Sequence, residues 1–138
     1  MFGVTVQAVN ADAPEAIVRG FAQMARDRAD AVIIAADAFF SGQGRLIAEA
    51  ALNNRIPTIS IYLEHVAAGT LMSYGQNVAE YHRQAATYVD KILKGTRPED
   101  LPVEEPTRIE LVINSKTADK LGLKVASELL ARANRVIE

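Results

Sequence analysis

The chain has 138 residues, of which 49% are hydrophobic and 23% are charged, and its formal net charge is −2. This length predicts one domain with a single core, and the charge excludes the basic field that nucleic acid or an anionic membrane would require. The sequence contains no cysteine, which excludes a disulfide framework and any thiolate nucleophile or thiolate metal site.

The sequence offers no segment for membrane insertion or export. No apolar stretch approaches the roughly 20 residues that span a bilayer. Residues 1–9 lack a positively charged region and have the pattern of a strand, so they do not predict a signal peptide. As it stands, the chain would be expected in the cytoplasm.

Strands and helices alternate along the first half of the chain. Residues 2–9 alternate apolar and more polar side chains, which predicts a strand with one buried face. Residues 31–36 are continuously apolar, as is typical of a central parallel strand covered on both faces. A helix capped by Asp12 follows the first strand, and a helix capped by Ser41 precedes a third strand over 57–63. Apolar stripes at helical spacing mark both helices: Ile17, Phe21, Met24 and Ala25 in the first, and Leu46, Ile47, Ala50 and Ala51 in the second.

The alternation continues with a strand over 70–74 and a long helix. This helix is predicted to begin at Asn77, which is a suitable capping residue, and to end at Gly95. The apolar residues that would form its inner face are Val78, Tyr81, Ala85, Val89 and Ile92.

The last third of the chain opens with an extended connection. Residues 97–106 hold three prolines and four acidic residues. A strand over 108–113 follows, then a short helix from Ser115 closed by Gly122, and a terminal helix reaching Ile137. The β-α-β order predicts an α/β fold with a mostly parallel sheet and helices on both faces.

Two segments that follow predicted strands carry the side chains most suited to binding a ligand. Ser41 and the Gly42 amide would stand at a helix start, where free N–H groups and the helix dipole can hold a carboxylate or a phosphate. Ser73 and Tyr74 would present hydroxyls at the carboxyl end of a strand, the edge at which α/β folds bind ligands. The alternative is that Ser41 only caps the helix and the glycines fit a tight turn. The candidate binding residues are Asp37, Phe39, Ser41, Gly42, Ser73 and Tyr74.

Motifs for nucleotide binding and nucleophilic catalysis find no match. Gly42 and Gly44 lack the third glycine of a dinucleotide fingerprint. Ser41 and Ser73 do not lie in the Gly-x-Ser-x-Gly elbow of hydrolases. The sequence therefore predicts no enzyme and no cofactor.

The remaining ionisable residues do not form a catalytic or metal-binding pattern either. His65 and His82 are not spaced as metal ligands, and both are predicted to be solvent-exposed. Asp37 follows a strand, as the phospho-acceptor of a response regulator does, but the paired acidic residues expected after the first strand are missing. We expect no metal site.

Several blocks of this sequence resemble one family closely. The chain is similar over its whole length to the C-terminal half of uncharacterised ABC-transporter substrate-binding proteins, which have the two-lobed type I periplasmic-binding fold. Thr70, Gln76 and His82 depart from the family pattern, in which a glycine, a proline and an arginine occupy these positions. The blocks that carry the resemblance are residues 71–75, 85–95, 101–104, 113–114 and 129–133.

The resemblance implies a single α/β domain, 1–138, that is assembled from parts of two lobes. Residues 1–61 and 107–138 would be second-lobe-like, and residues 62–106 would return to finish the first lobe. It also implies a non-catalytic component of an ABC-type importer that binds a small organic solute such as an amino acid and delivers it to an ABC permease. Proteins of this family are periplasmic or extracytoplasmic.

The resemblance also implies an uncovered surface, because most of the first lobe is missing from this sequence. Apolar residues of the 63–88 region would lie exposed, and a homodimer would cover them. The alternative function is a cytoplasmic dimeric α/β interaction or regulatory module that has lost solute binding.

Overall fold

The computed structural model describes residues 3–104 and 109–138, and over these ranges strands and helices alternate. No helix in these ranges combines the length and the hydrophobicity that crossing a membrane requires. In chain order the elements are α1 (Pro14–Arg26), β1 (Val32–Ile33), α2 (Ala38–Ser41), α3 (Gly44–Asn53), β2 (Thr58–Ser60), α4 (Leu63–Ala68), β3 (Met72–Gln76), α5 (Val78–Leu93), a 3₁₀ turn (Pro98–Asp100), β4 (Ile109–Asn114), α6 (Ser115–Leu121), α7 (Ser127–Arg132) and β5 (Arg135–Ile137).

The strands form one five-stranded sheet in the order β1-β2-β3-β4-β5. The pairs β1–β2, β2–β3 and β4–β5 are parallel, whereas β3–β4 is antiparallel. This confirms the predicted α/β fold with a mostly parallel sheet flanked by helices.

A core of apolar side chains joins α1, α3 and β1. Ile17 and Phe21 of α1 pack with Ile47 of α3, as the helical spacing predicted. Val32 of β1 and Ile34, the residue after β1, belong to the same cluster. The intervening residue Ile33 points to the opposite face and is 80% exposed. The predicted covering of residues 31–36 on both faces is therefore wrong, because β1 is an edge strand with one open face.

The predicted strand over residues 2–9 is also wrong wherever the structure describes it. Residues 3–9 form no ladder with β1, and Val4 and Val6 are 75% and 88% exposed. Gln7 instead donates a hydrogen bond from Nε2 to Asp27 Oδ2 at 3.2 Å, beyond the end of α1. Alternating hydrophobicity cannot form a strand without a pairing partner. Residue 2 lies outside the described residues.

Two further predicted elements end differently. The third strand stops at Ser60, because Ser60 Oγ accepts a hydrogen bond from the Tyr62 amide and α4 begins at Leu63, so the predicted end at residue 63 is wrong. The terminal helix ends at Arg132 rather than Ile137. The Asn134 amide donates to the Leu111 carbonyl at 2.8 Å, and Asn134 Oδ1 accepts from the Leu111 amide at 2.8 Å. These two hydrogen bonds hold the chain beside β4, where it continues as β5.

Helix boundaries follow the predicted capping residues in part. Asn77 caps α5 by accepting from the Ala79 amide at 3.0 Å, and Gly122 closes α6 with φ of 71°. The cap of α1 is Ala13 rather than Asp12, and the cap of α3 is Gln43 rather than Ser41.

The long helix α5 lacks the packing that was predicted for it. Tyr81 of its predicted inner face is half-buried, but the other four residues of that face are exposed, and within the described ranges no residue of α5 is fully buried. The first turn lies near β3, α4 and β4, while Tyr88 Oη donates to the Pro102 carbonyl at 2.6 Å, so residues 101–104 run beside one side of the helix. The rest of the apolar face has no cover among these residues.

The lobe boundaries implied by the resemblance stay predictions. β3 belongs to the predicted first-lobe segment 62–106, and it pairs with β2 and β4 in the common sheet. The boundary between residues 106 and 107, like the predicted strand start at residue 108, lies outside the described residues.

Candidate functional site

The loop after β1 holds four of the six candidate residues on the surface of the sheet's carboxyl edge. Asp37 is the N-cap of the four-residue helix α2, and its Oδ1 accepts a hydrogen bond from the Phe39 amide at 2.7 Å. Phe39 is half-buried and packs against Phe40, with 5.3 Å between ring centroids. The Asp37 carboxylate itself is exposed, so it can meet a ligand from solvent. Ser41 and Gly42 are exposed beside it.

The helix start predicted at Ser41 is wrong. Ser41 is the last residue of α2, where its hydroxyl donates to the Ala38 carbonyl at 2.8 Å and its amide donates to the Asp37 carbonyl at 3.1 Å. The next helix begins only at Gly44. Ser41 therefore does not offer a free amide or an unengaged hydroxyl for an anion, and the carboxylate of Asp37 is the most accessible charged group of the loop.

Ser73 and Tyr74 lie two strands away and on opposite faces of the sheet. Both are in the middle of β3, which continues to Gln76, so the predicted end of this strand at residue 74 is two residues short. Ser73 is buried, whereas Tyr74 is 52% exposed. Successive side chains of a strand point in opposite directions, and the two hydroxyls therefore cannot contact one small ligand from the same side.

Tyr62 is a residue of this edge that the sequence analysis missed. Its hydroxyl donates to the Asp37 carbonyl at 3.0 Å, which joins the loop after β2 to the loop after β1. The Tyr62 backbone is held in turn, because its amide donates to Ser60 Oγ at 3.2 Å. The only feature of the sequence that could have indicated this role is the presence of a tyrosine near the end of a predicted parallel strand.

His65 contacts the same loop from the interior of the protein, so the prediction that it is exposed is wrong. The side chain is fully buried, and Nε2 lies 2.9 Å from the Phe40 carbonyl. A carbonyl only accepts, so Nε2 carries the hydrogen and Nδ1 is an acceptor that has no partner among the described residues. Burial lowers the pKa of His65 below its ordinary 6.5 and outweighs the backbone contacts with Phe40 and Ser41, which raise it. The imidazole is therefore neutral at pH 7.

Glycine at position 44 allows His65 to occupy this place. A Cβ on Gly44 would stand 2.9 Å from Cδ2 of the imidazole. The Tyr62 ring lies on the histidine as well, with 4.9 Å between ring centroids. The His65 ring thus connects α3, the loop after β2 and the loop after β1.

A cavity lies at another place, between α4, β3, β4 and the start of α5. Ser73, Glu64 and Glu110 line it, and the Glu110 carboxylate accepts hydrogen bonds from Asn77 Nδ2 at 3.3 and 3.4 Å. Its volume of about 100 Å³ is below the ~300–1,000 Å³ of ordinary ligand pockets. This small volume makes the cavity a weaker candidate for a solute site than the surface loops. Over residues 3–104 and 109–138, no three His, Asp or Glu side chains converge as metal ligands.

Comparison with known proteins points to one family and one fold. A family model described as ABC transporter substrate binding protein matches residues 2–137. No curated protein matches the sequence.

Solved structures with the same fold include three bacterial proteins. A conserved domain protein from Vibrio cholerae is 25% identical with a TM-score of 0.81, and 91% of this chain covers 42% of that one. The ABC domain in complex with L-Trp from Streptococcus pneumoniae is 23% identical with a TM-score of 0.85, and 98% of this chain covers 46% of it. The ligand-free, open structure of a substrate binding protein with adhesive properties from Clostridium difficile is 20% identical with a TM-score of 0.65, over 92% of this chain and 42% of that chain. The chain therefore spans less than half the length of these proteins.

Proposed function

Because this chain belongs to the ABC transporter substrate-binding protein family, we propose that it binds a small organic solute for an ABC-type importer and does not transform it. The family match over residues 2–137 carries this proposal. The similarity to a structure in complex with L-Trp supports an amino acid as the solute class. An ABC permease is the partner that this function requires.

We place the proposed site at the carboxyl edge of the sheet, on the loops after β1 and β2. Parallel sheets bind ligands at this edge, and the hydrogen bond from Tyr62 to the Asp37 carbonyl holds the two loops together there. The exposed Asp37 carboxylate fits an ammonium group, and Phe39 offers an apolar wall. Ser41 and Gly42 border this surface, and of the two β3 candidates only the exposed Tyr74 stays a predicted contact, because Ser73 is buried.

The first test is thermal unfolding with L-tryptophan, followed by the other amino acids and small carboxylates. A ligand that binds only the folded state raises the melting temperature. We expect Asp37→Asn to remove the shift, because asparagine preserves the cap of α2 but loses the negative charge. Asp27→Asn is the matched control, since Asp27 follows α1 at the opposite edge of the sheet. A solute whose shift survives Asp37→Asn would refute this placement.

The alternative function is a dimeric α/β interaction or regulatory module without solute binding. The exposed apolar side chains of α5, such as Val89 and Leu93, favour it, because exposed apolar surface is typical of contacts between proteins. A homodimer is therefore part of the proposal under either function. A dimer whose melting temperature no amino acid or carboxylate shifts would favour the module over the solute-binding protein.

A further inference from the structure

Two aromatic side chains of one short segment hold the loop after β1 from outside. The Tyr62 hydroxyl donates to the Asp37 carbonyl at 3.0 Å, and His65 Nε2 donates to the Phe40 carbonyl at 2.9 Å. The Tyr62 and His65 rings also pack on each other, with 4.9 Å between their centroids. The two hydrogen bonds lie on either side of Phe39, so the position of this part of the proposed solute surface depends on the two rings.

The atom of the His65 ring that can take up a proton is buried without a partner. Nε2 already carries its hydrogen, so Nδ1 is the position that remains for a second proton. Nδ1 is buried and makes no hydrogen bond with any residue in the described part of the chain. The ring also packs closely against α3, since a Cβ on Gly44 would stand 2.9 Å from Cδ2. A proton on Nδ1 would therefore be a buried charge without an acceptor.

Neighbouring charges do not offset this burial. The Glu64 carboxylate and the backbone of Phe40 and Ser41 raise the pKa of His65, but burial lowers it by more. None of the titratable or charged groups on the elements packed around His65 bonds Nδ1 within the described ranges. These groups are Asp37 before α2, Arg45 and Glu49 of α3, Tyr62, Glu64 of α4 and Glu110 of β4. The neutral ring is therefore the form that fits this place.

A proton on Nδ1 opposes the closed loop, in which both hydrogen bonds to the rings are made. The imidazolium reaches water only if the ring leaves the space between Gly44 and Tyr62. That movement withdraws the Nε2 donor from the Phe40 carbonyl and removes the ring on which Tyr62 packs. Histidine is the side chain that changes its charge between about pH 5 and 8, so the closed loop is linked to pH in this range.

We propose that His65 is a positioning residue of the solute site and that a proton on its Nδ1 opens the loop after β1, so that solute is released at acid pH. The inference rests on the proposed function and specifies how the same site is regulated. Because proton and solute favour opposite states of the loop, each weakens the binding of the other. Asp37 and Phe39 contact the solute, whereas His65 acts on them through the Phe40 carbonyl.

Hydrogen exchange of the full chain, followed by NMR without solute, measures the opening of the loop. The Ser41 and Gln43 amides report on it, because they donate to the Asp37 and Phe40 carbonyls at 3.1 and 2.9 Å. The pKa of His65 in the closed state is lowered below 6.5, so the open state binds the extra proton below that pH. We expect the protection of both amides, corrected for intrinsic exchange, to fall by up to about tenfold per pH unit between pH 6.5 and the lowered pKa.

The Ala29 amide is the control within the same experiment. It donates to the Met24 carbonyl at 2.9 Å at the end of α1, and its protection should not follow the His65 titration. NMR titration of the imidazole ring gives the pKa of His65 directly. Protection of Ser41 that does not change with pH would overturn the switch. So would a loss that occurs only together with that of β4, because the whole domain would then be unfolding.

Two amide variants separate the positioning of the loop from the packing of the ring. Glutamine carries its amide nitrogen as far from the backbone as Nε2 and does not titrate, so His65→Gln should keep Ser41 protected at both pH 7 and pH 5. Asparagine ends at the level of Nδ1, so His65→Asn should lose the donor and leave Ser41 weakly protected at both. A response of His65→Gln equal to that of the wild type would refute the role of His65. The wild-type exchange decides the proposal even where a variant fails to fold.

Binding of L-tryptophan tests the link to the solute. Calorimetry at pH 7 and pH 5.5 should give a dissociation constant at least about threefold weaker at the lower pH in the wild type, and a smaller change in His65→Gln. Any effect of pH on the Asp37 carboxylate is common to both proteins. Equal changes in the two proteins would contradict the link. If no amino acid or small carboxylate binds at pH 7, the proposed function fails, and the exchange of Ser41 alone confirms or refutes the switch.

Discussion

His65 is the residue whose surroundings differ most from what its local sequence indicates. It follows Leu63 and Glu64 in a segment of mixed polarity, yet its ring is fully buried between Gly44 and Tyr62. The neutral imidazole donates to the Phe40 carbonyl and so fixes the loop that carries the proposed solute surface. A proton on Nδ1 would be a buried charge without an acceptor, so the fold favours the uncharged ring.

The free energy of unfolding should therefore depend on pH through His65. The folded pKa is lowered below 6.5, so at pH below about 6.5 the unfolded chain binds the extra proton and the folded chain does not. Stability should fall as the pH is lowered from about 6.5 to the folded pKa, by at most about 1.4 kcal/mol per pH unit, and should be unaffected by this group above 6.5. Denaturation by urea between pH 4.5 and 8 measures this slope.

The control for this prediction is the other histidine of the chain. His82 is exposed on α5, so His82→Gln should preserve the slope while His65→Gln reduces it. An equal slope in both variants would mean that other groups cause the pH dependence.

At the scale of elements, the structure of the sheet's carboxyl edge depends on a close approach between β3 and the segment after β2. A Cβ on Gly75 would lie only 2.1 Å from the Ile61 carbonyl oxygen, so only glycine fits this position of β3. Gly75 pairs with Glu110 of β4, and Ile61 leads into Tyr62 and the loop that contacts Asp37. The glycine at position 75 thus allows β3 to pack against the segment that leads to the proposed site.

Gly75→Ala should destabilise the domain by about 3 kcal/mol, because the backbone of the Ile61 segment must shift to admit a methyl group. Gly42→Ala is the matched control. A Cβ there would meet its nearest atom, the Phe39 carbonyl oxygen, only at 3.9 Å, and we expect a change below about 0.5 kcal/mol. Urea denaturation of both variants makes the comparison, and equal stabilities would contradict the close approach.

At the scale of the whole molecule, burial is uneven. Val112 and Ile113 of β4 are almost completely buried, while residues 3–9, the outer face of β1 and α5 are largely exposed. The chain spans less than half the length of the similar solved structures, and several of its most exposed apolar side chains lie on residues 3–9, β1 and α5. Local stability should follow this gradient.

Native-state hydrogen exchange should rank the segments accordingly. We expect the slowest exchange in the paired residues of β3 and β4, and exchange close to the unfolded rate over residues 3–9. Slow exchange over residues 3–9 would show instead that this segment pairs with β1 in solution.

The sequence by itself determined the features that depend on near neighbours along the chain. The stripe of Ile17 and Phe21, the cap at Asn77, the stop at Gly122 and the β-α alternation were all predicted, because periodicity and caps involve residues about four positions apart. The family resemblance was likewise recognisable from the sequence blocks at residues 71–75 and 85–95.

Only the tertiary structure decided what depends on partners far along the chain. It left residues 3–9 unpaired, turned the last residues into β5 beside β4, buried His65, and put Ser73 and Tyr74 on opposite faces. Whether an alternating segment becomes a strand, or a polar side chain becomes buried, is set by the free energy of contacts that no local pattern contains. The same holds for the candidate site. Asp37 and Phe39 were recognisable because they follow a strand, whereas the contact of Tyr62 with Asp37 spans 25 residues and exists only once β1 and β2 are paired.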